Sequence, residues 1–282
     1  MTTLLSKNLL NCKGAIISLA KPLVMGILNI TPDSFFEGSR VQTETEVLQR
    51  VEKMLNAGAA IIDIGGQSTR PGALNISVSE ETSRVIPVIE QVHKNFPEAI
   101  LSIDTFNAAV AKHAIEAGAA IINDISAGEA DADMFHTVAQ CKVPYIIMHK
   151  QGIPQNMQAH PVYDDIVLDL LTYFTQKVTD LHQLGVADII LDPGFGFGKN
   201  LEHNYSLLAG LDAFKIFELP VMAGVSRKSM VQKLLGVNTE MALNGTTALH
   251  MVALQKGVKI LRVHDVLEAK QCVRIGEALG WY

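Results

Sequence analysis

Asp104, Asn123, Asp192 and Lys228 are the side chains of this sequence best suited to read a flat polar molecule. Two carboxylates, an amide and an ammonium match a heterocycle that offers several N–H donors and a carbonyl. Arg262 and His264 are alternate residues of an apolar run, so on a strand they share one face. A guanidinium fork beside an imidazole suits a phosphate. Asn29 and Thr69 could complete an anion or magnesium site, because magnesium takes one or two protein ligands and keeps waters and substrate phosphates. Two aspartates can also form an acid–nucleophile pair, but nothing around these two resembles one. The plainer alternatives are a core ion pair of Lys228 with an aspartate, and a packing role for His149 at the rim.

These residues are tied together by what precedes them. Eight short apolar runs recur along the 282 residues, and each closes on a polar side chain. VMGILN ends at Asn29, AAIID at Asp63, AILSID at Asp104, and AAIIND at Asn123 and Asp124. YIIMH ends at His149, DIILD at Asp192, PVMAGVS at Ser226, and KILRVH at Arg262 and His264. Ile/Val-rich runs of this length read as buried parallel strands, here 23–29, about 60–64, 100–104, 119–123, 144–149, 188–192, 220–224 and 258–263. Helix-length segments lie between them. The pattern predicts an α/β fold, a (β/α)₈ TIM barrel over 23–282, with residues 1–22 an N-terminal extension that forms a small hairpin on the barrel floor. In such a barrel function sits at the carboxyl ends of the strands.

Gly58 and Gly118 read as helix ends, and Ser77 or Ser79 opens a helix with Glu80 and Glu81 in its first turn. Two connections are long for βα loops, Ile30–Gln42 and Gly65–Ile76. They carry Asp33, Phe35, Thr69, Arg70 and Pro71, which suits a lid or binding role better than a tolerated insertion.

The formal charge of −6 provides no basic field, which argues against a nucleic-acid partner. Cys12, Cys141 and Cys272 are unclustered, as expected of a reduced cytoplasmic protein. No secretory pattern and no membrane-length apolar run stand out. There is no G-x-S-x-G elbow, and neither DPGFGFGK nor AGVSRKS has the spacing of a dinucleotide or phosphate loop.

MGILNITPDSF, IDIGGQSTRPGA, SIDT, INDISAG, MHKQGIPQNMQ, DPGFGFGK, GVSRKSM and RVHD together follow the order and spacing of another pattern. From about Val24 onward the chain resembles the dihydropteroate synthase family. That resemblance implies an enzyme that joins 6-hydroxymethyl-7,8-dihydropterin diphosphate to 4-aminobenzoate in folate synthesis. Carried over motif by motif, it implies Asp104, Asn123, Met148, Asp192 and Lys228 around the pterin. It implies Asn29, Thr69, Arg262 and His264 at the diphosphate, with magnesium on Asn29. Phe35, Pro71, Phe197, Ser226 and Lys228 would surround 4-aminobenzoate, the subsite that sulfonamides mimic in this family. A homodimer built through barrel helices is also implied.

The sequence departs from the family pattern at Phe36 and Glu37 in the first loop, at Asn107 after SIDT, and at Lys150 after the histidine. Two other expectations compete with the synthase. A pterin-binding methyltransferase barrel would need neither STRPG nor RVH, and a non-catalytic pterin-binding subunit should have lost loop or phosphate residues. Both sets of residues are intact here.

Overall fold

The computed structural model describes residues 8–30, 40–67, 76–152 and 161–282. Strands β1 (Leu9–Cys12) and β2 (Ala15–Ser18) form an antiparallel hairpin. Eight further strands make one parallel sheet: β3 (Leu23–Asn29), β4 (Ile61–Gly65), β5 (Ile100–Asp104), β6 (Ile121–Asp124), β7 (Tyr145–Met148), β8 (Ile189–Asp192), β9 (Met222–Ala223) and β10 (Ile260–Val263). The order β8-β7-β6-β5-β4-β3-β10-β9 is that of a barrel, and a bridge between Leu191 and Val221 joins its two ends. The helices between strands are α1 (Arg40–Asn56), α2 (Val78–Asn95), α3 (Ala108–Ala117), α4 (Met134–Cys141), α5 (Ile166–Gln183), α6 (Leu201–Ala209), α7 (Ser229–Leu235) and α8 (Leu243–Gln255), with α9 (Val266–Ala278) closing the chain.

The period-two alternation of each strand divides its side chains between two environments. Ile62, Ile64, Ile103, Ile147, Leu191 and Leu261 join the helices in the outer core. Met25, Ile61, Ile121, Ile146, Ile190 and Ile260 form the inner, lower core, and Leu10, Cys12 and Leu19 of the hairpin segment pack against them. The barrel is therefore plugged with apolar side chains at its floor. The inward-facing residues one or two steps further along the same strands are Asp63, Asp104, Asn123, Asp192 and Arg262.

Helix starts follow their capping chemistry. Ser77 Oγ accepts from the Glu80 N–H (3.1 Å), and Asp165 Oδ1 accepts from the Val167 and Leu168 N–H groups (2.9 and 3.1 Å). Several boundaries differ from the sequence expectation. Strand β9 is two residues long rather than spanning 220–224, because Pro220 has no N–H to give a ladder; its carbonyl accepts from Leu191 instead (2.9 Å). The helix expected at 202–213 stops at Ala209 and continues as a 3-10 turn, Leu211–Phe217. Between them lies Gly210, where a Cβ would come within 2.7 Å of Val167. A third long connection separates the end of β7 at Met148 from the start of α5 at Ile166.

Leu19 is fully buried between the hairpin and the lower core. Leu19→Ala should lower the unfolding free energy by about 2–5 kcal/mol in urea titration. A loss below ~1 kcal/mol would mean that the hairpin is not part of the core.

Candidate active site

Strand register aligns the polar residues in a row. Asn29 pairs with Gly65, Gly65 with Asp104, and Asp104 with Asn123. Gly65 leaves space between its neighbours: a Cβ there would sit 3.7 Å from Asn29 Oδ1 and 3.6 Å from Asp104 Oδ2. Two oxygen donors thus flank one small opening at the top of β3–β5.

One step below that row, Asp63 is fully buried. Its Oδ2 accepts from Arg262 Nε (2.6 Å) and from Asn123 Nδ2 (3.0 Å). The other arm of the same guanidinium, Nη2, donates to Asp104 Oδ2 (2.5 Å). The sequence expectation gives Arg262 to a phosphate rather than to the barrel; here it bridges two carboxylates across the lumen. Burial works against its charge, but Asp63 and Asp104 hold it above the ordinary guanidinium range. For Asp104 burial pushes the carboxyl up, to about 7, although Arg262 pulls it down; Asp63 adds to the upward push. Asp63 Oδ1 and Ser102 Oγ, register partners on adjacent strands, have no hydrogen-bond partner among the described residues. The lumen therefore has acceptor capacity beyond what its own residues use.

On the opposite wall, Asp192 is 5% exposed and accepts from the Gly194 N–H (2.8 Å). Burial raises its pKa and Lys228 works in the other direction. Lys228 is not in a carboxylate ion pair among the described residues. Its Nζ donates to the Phe195 carbonyl (2.5 Å) and lies 4.7 Å from the centre of the Phe197 ring. Burial brings this amine down to about 8, with Asp192 opposing. Met148 is buried, aligned with Asp192 in the ladder. Ser226 Oγ accepts from the His264 N–H (3.2 Å), which ties the segments after β9 and β10 together, while the His264 residue itself is exposed.

The structure thus brings together Asn29, Asp104, Asn123, Met148, Asp192, Phe197, Ser226, Lys228, Arg262 and His264 around the carboxyl end of the barrel. Asp33, Phe35, Thr69, Arg70 and Pro71 lie outside the described residues, as do Phe36 and Glu37. Asn107 donates to Glu81 Oε2 (2.6 Å), binding the β5 loop to the start of α2.

Three residues that sequence reasoning does not assign are central. Asp63 is visible as a strand-end carboxylate, but its partner Arg262 is 199 positions away. Arg227, in a left-handed conformation (φ 51°), forms a fork on Asp265 (2.7 and 2.9 Å) and reaches the Thr239 and Glu240 carbonyls, so it locks the loop that presents Ser226 and Lys228. Lys199 is 2% exposed inside a glycine-rich run where nothing in the pattern marks it as buried. Conversely, Asp124 faces away from the lumen: it accepts from Ser126, Gly128 and the Tyr145 hydroxyl and is structural.

Removing one of the two carboxylates that share a buried guanidinium loses a charged hydrogen bond, at a cost of roughly 1.5–3 kcal/mol. Asp63→Ala should therefore destabilise the fold by about that amount in urea titration, with Arg262 left to Asp104 alone. A change under ~1 kcal/mol would mean that Asp63 does not anchor the guanidinium.

Known proteins share this arrangement of elements. The chain matches the model of the pterin binding enzyme family over residues 25–264. It is 45% identical over 269 residues to the dihydropteroate synthase of Escherichia coli (strain K12), covering 94% of each protein. The Yersinia pestis dihydropteroate synthase in its sulfonamide drug complex has the same fold, with a TM-score of 0.91 at 44% identity over 97% of this chain and 100% of that one. The Xanthomonas albilineans dihydropteroate synthase with 4-aminobenzoic acid gives 0.90 at 37% identity, over 98% and 99% of the two chains. With a family model matching residues 25–264 and relatives of this identity along nearly its whole length, the chain belongs to the pterin-binding enzymes, in the dihydropteroate synthase family of transferases.

Proposed function

We propose that this chain joins 6-hydroxymethyl-7,8-dihydropterin diphosphate to 4-aminobenzoate, releasing diphosphate and 7,8-dihydropteroate. The observation that carries this is the buried acceptor set in the lumen, Asp63, Asp104, Asn123 and Asp192, with Lys228 beside it. A reduced pterin presents an amidine-like edge of N–H donors and one carbonyl. Asp192 has one oxygen on Gly194 and the other for the ring N–H and exocyclic amine, while Lys228 can donate to the carbonyl.

The arrangement suits a dissociative substitution. The C–O bond to diphosphate breaks with its electron pair leaving on oxygen, and the dihydropterin ring spreads the positive charge of the methylene carbon. The amine lone pair of 4-aminobenzoate then forms the C–N bond and the nitrogen loses a proton. Asp104, on the pterin wall, offsets the developing cation. Arg262 and His264 favour the departing diphosphate, although Arg262 must then share its guanidinium with Asp63 and Asp104. Ser226, Phe197 and Lys228 would face 4-aminobenzoate together with Phe35 and Pro71 of the long loops, while Thr69 would join Arg262 and His264 at the diphosphate.

Magnesium fits Asn29. Its amide oxygen is a hard donor, flanking the space over Gly65 beside a carboxylate. An ion held by this one amide would take its remaining ligands from water and substrate oxygens. Such an ion, when bound, would neutralise diphosphate charge. A homodimer is favoured by the apolar side chains that α7–α9 expose, including Leu234, Leu235, Met241, Leu267 and Ile275. Three free thiols fit the cytoplasm, and no described helix is long and apolar enough to cross a membrane.

Diphosphate release should require both substrates, and Asp192→Asn should weaken binding of the pterin diphosphate in calorimetry. An unpaired buried group costs about 1–3 kcal/mol, so the loss should be roughly tenfold or more. Release that is independent of 4-aminobenzoate, or affinity unchanged in Asp192→Asn, would contradict the assignment.

With its carboxyl pushed up to about 7, Asp104 gains a proton as pH falls through that value and loses the charge that offsets the cation. The turnover rate should drop on the acid side of pH 7, and Asp104→Asn should be slower throughout and lack this limb. A limb that persists in Asp104→Asn would remove Asp104 from that role.

A further inference from the structure

Lys199 lies at the end of DPGFGFGK, yet its side chain turns back under the loop instead of out to solvent. Its Nζ donates to three backbone carbonyls, those of Gly194 (2.9 Å), Phe197 (3.1 Å) and His149 (3.3 Å). It also lies 3.1 Å from His149 Nδ1. Burial brings that imidazole down to about 3, and the neutral ring can take the tautomer in which Nδ1 accepts from the amine. The amine protons are shared among these four acceptors, all of them inside the protein.

The loop is shaped for this. Gly194, Gly196 and Gly198 all have positive φ (71°, 84° and 64°), so the backbone curls and turns successive carbonyls to opposite sides. A Cβ on Gly194 would lie 2.0 Å from the His149 carbonyl oxygen, and one on Gly198 would lie 2.3 Å from that of Gln151. The β7 and β8 loops are therefore in backbone contact, with the lysine between them. From outside, the Tyr163 hydroxyl donates to the Gly198 carbonyl (2.8 Å), and Asn204 Oδ1 accepts from the Gly196 N–H (2.7 Å). The inner partner of the Gly194 and Phe197 carbonyls is Lys199.

What that loop presents gives the arrangement its consequence. The Gly194 N–H orients Asp192, the Phe195 carbonyl receives Lys228, and the Phe197 ring lies against the Lys228 ammonium. We propose that Lys199 is a positioning residue for substrate binding, an internal hydrogen-bond donor that holds the Gly194–Phe197 backbone so that Asp192, Phe197 and Lys228 keep their spacing. It touches neither substrate. It acts through the loop, and so controls the wall shared by the pterin and 4-aminobenzoate pockets. The kinetic side of this inference rests on the synthase reading above; the structural side does not.

The test uses the full-length protein and two substitutions. Lys199→Met keeps the apolar stem but removes the amine from three carbonyls, leaving Gly194 with the Phe197 N–H alone (3.1 Å). Lys199→Ala leaves room for n-propylammonium, which has the atoms removed. Hydrogen exchange at the Phe195–Gly198 amides should speed up at least tenfold in Lys199→Met, with α2 and α3 protection unchanged. At a temperature where each variant is fully folded, the KM for 4-aminobenzoate should rise at least tenfold while kcat changes less than threefold. Added n-propylammonium should bring the KM of Lys199→Ala back toward that of the original protein. Unchanged loop exchange overturns the proposal. So does accelerated exchange with an unchanged KM, or a uniform loss of kcat with no rescue, because a lysine that only supports folding would give those results. If the unsubstituted protein releases no diphosphate, the synthase reading fails; the exchange and calorimetric binding of 4-aminobenzoate in the presence of the pterin diphosphate then decide the role of Lys199.

Discussion

A single guanidinium shared by two buried carboxylates organises the mouth of this barrel. Asp63 and Asp104 come from neighbouring strands, and the guanidinium of Arg262 between them offsets the cost of taking both carboxylates out of water. The contact also fixes Asn123, whose amide donates to the same Asp63 oxygen. Four strands, β4, β5, β6 and β10, are thus linked above the apolar plug by one hydrogen-bonded group. Its cost is desolvation, and its return is a wall of acceptors in one fixed arrangement. A ligand rich in N–H donors meets acceptors that need little reorganisation, which is the main source of preorganised affinity.

The opposite wall follows the same logic with the signs exchanged. Asp192 faces two amines, Lys228 and Lys199, and burial lowers both, to about 8 and about 7. Each ammonium is received by backbone carbonyls of the glycine-rich loop rather than by a carboxylate, so Asp192 keeps an oxygen for ligand. Arg227 has the matching role in the neighbouring loop, where its fork on Asp265 joins the segments that follow β9 and β10. The floor of the barrel, filled by Met25, Ile61, Ile190 and the hairpin leucines, does not enter recognition and supplies the rigidity on which these polar contacts depend.

Much of this is legible in the sequence because the barrel repeats one rule. Apolar runs of strand length that each end in a polar residue locate Asp104, Asn123, Asp192 and Arg262 from pattern alone. Alternation within a run also separates Asn123, which faces the lumen as expected, from Asp124, which bonds Tyr145 on the outer side. Partnership is harder to read. Asp63 ends its run like the others, but its importance comes from an arginine on the last strand, and local pattern says nothing about a contact of that range. Lys199 is hidden for another reason. A lysine after three glycines looks like a solvated loop residue, and only the positive-φ curl of those glycines turns it inward. Arg227 and Lys228 are adjacent in a basic motif, yet one is a clamp and the other faces the site, because the left-handed backbone at Arg227 points the two side chains apart.

The claim on which the rest depends is that Asp63 shapes the ligand site through Arg262. A double-mutant cycle on Asp63→Asn and Arg262→Lys, read as the affinity for the pterin diphosphate by calorimetry, tests it most directly. Residues in one buried network couple by about 0.5–3 kcal/mol, whereas independent sites add to within roughly 0.3–0.5 kcal/mol. The account predicts that the two substitutions together weaken binding by at least ~1 kcal/mol less than the sum of their separate effects. Additive losses would contradict it, and would mean that Asp63 and Arg262 serve the ligand, or the fold, independently of one another.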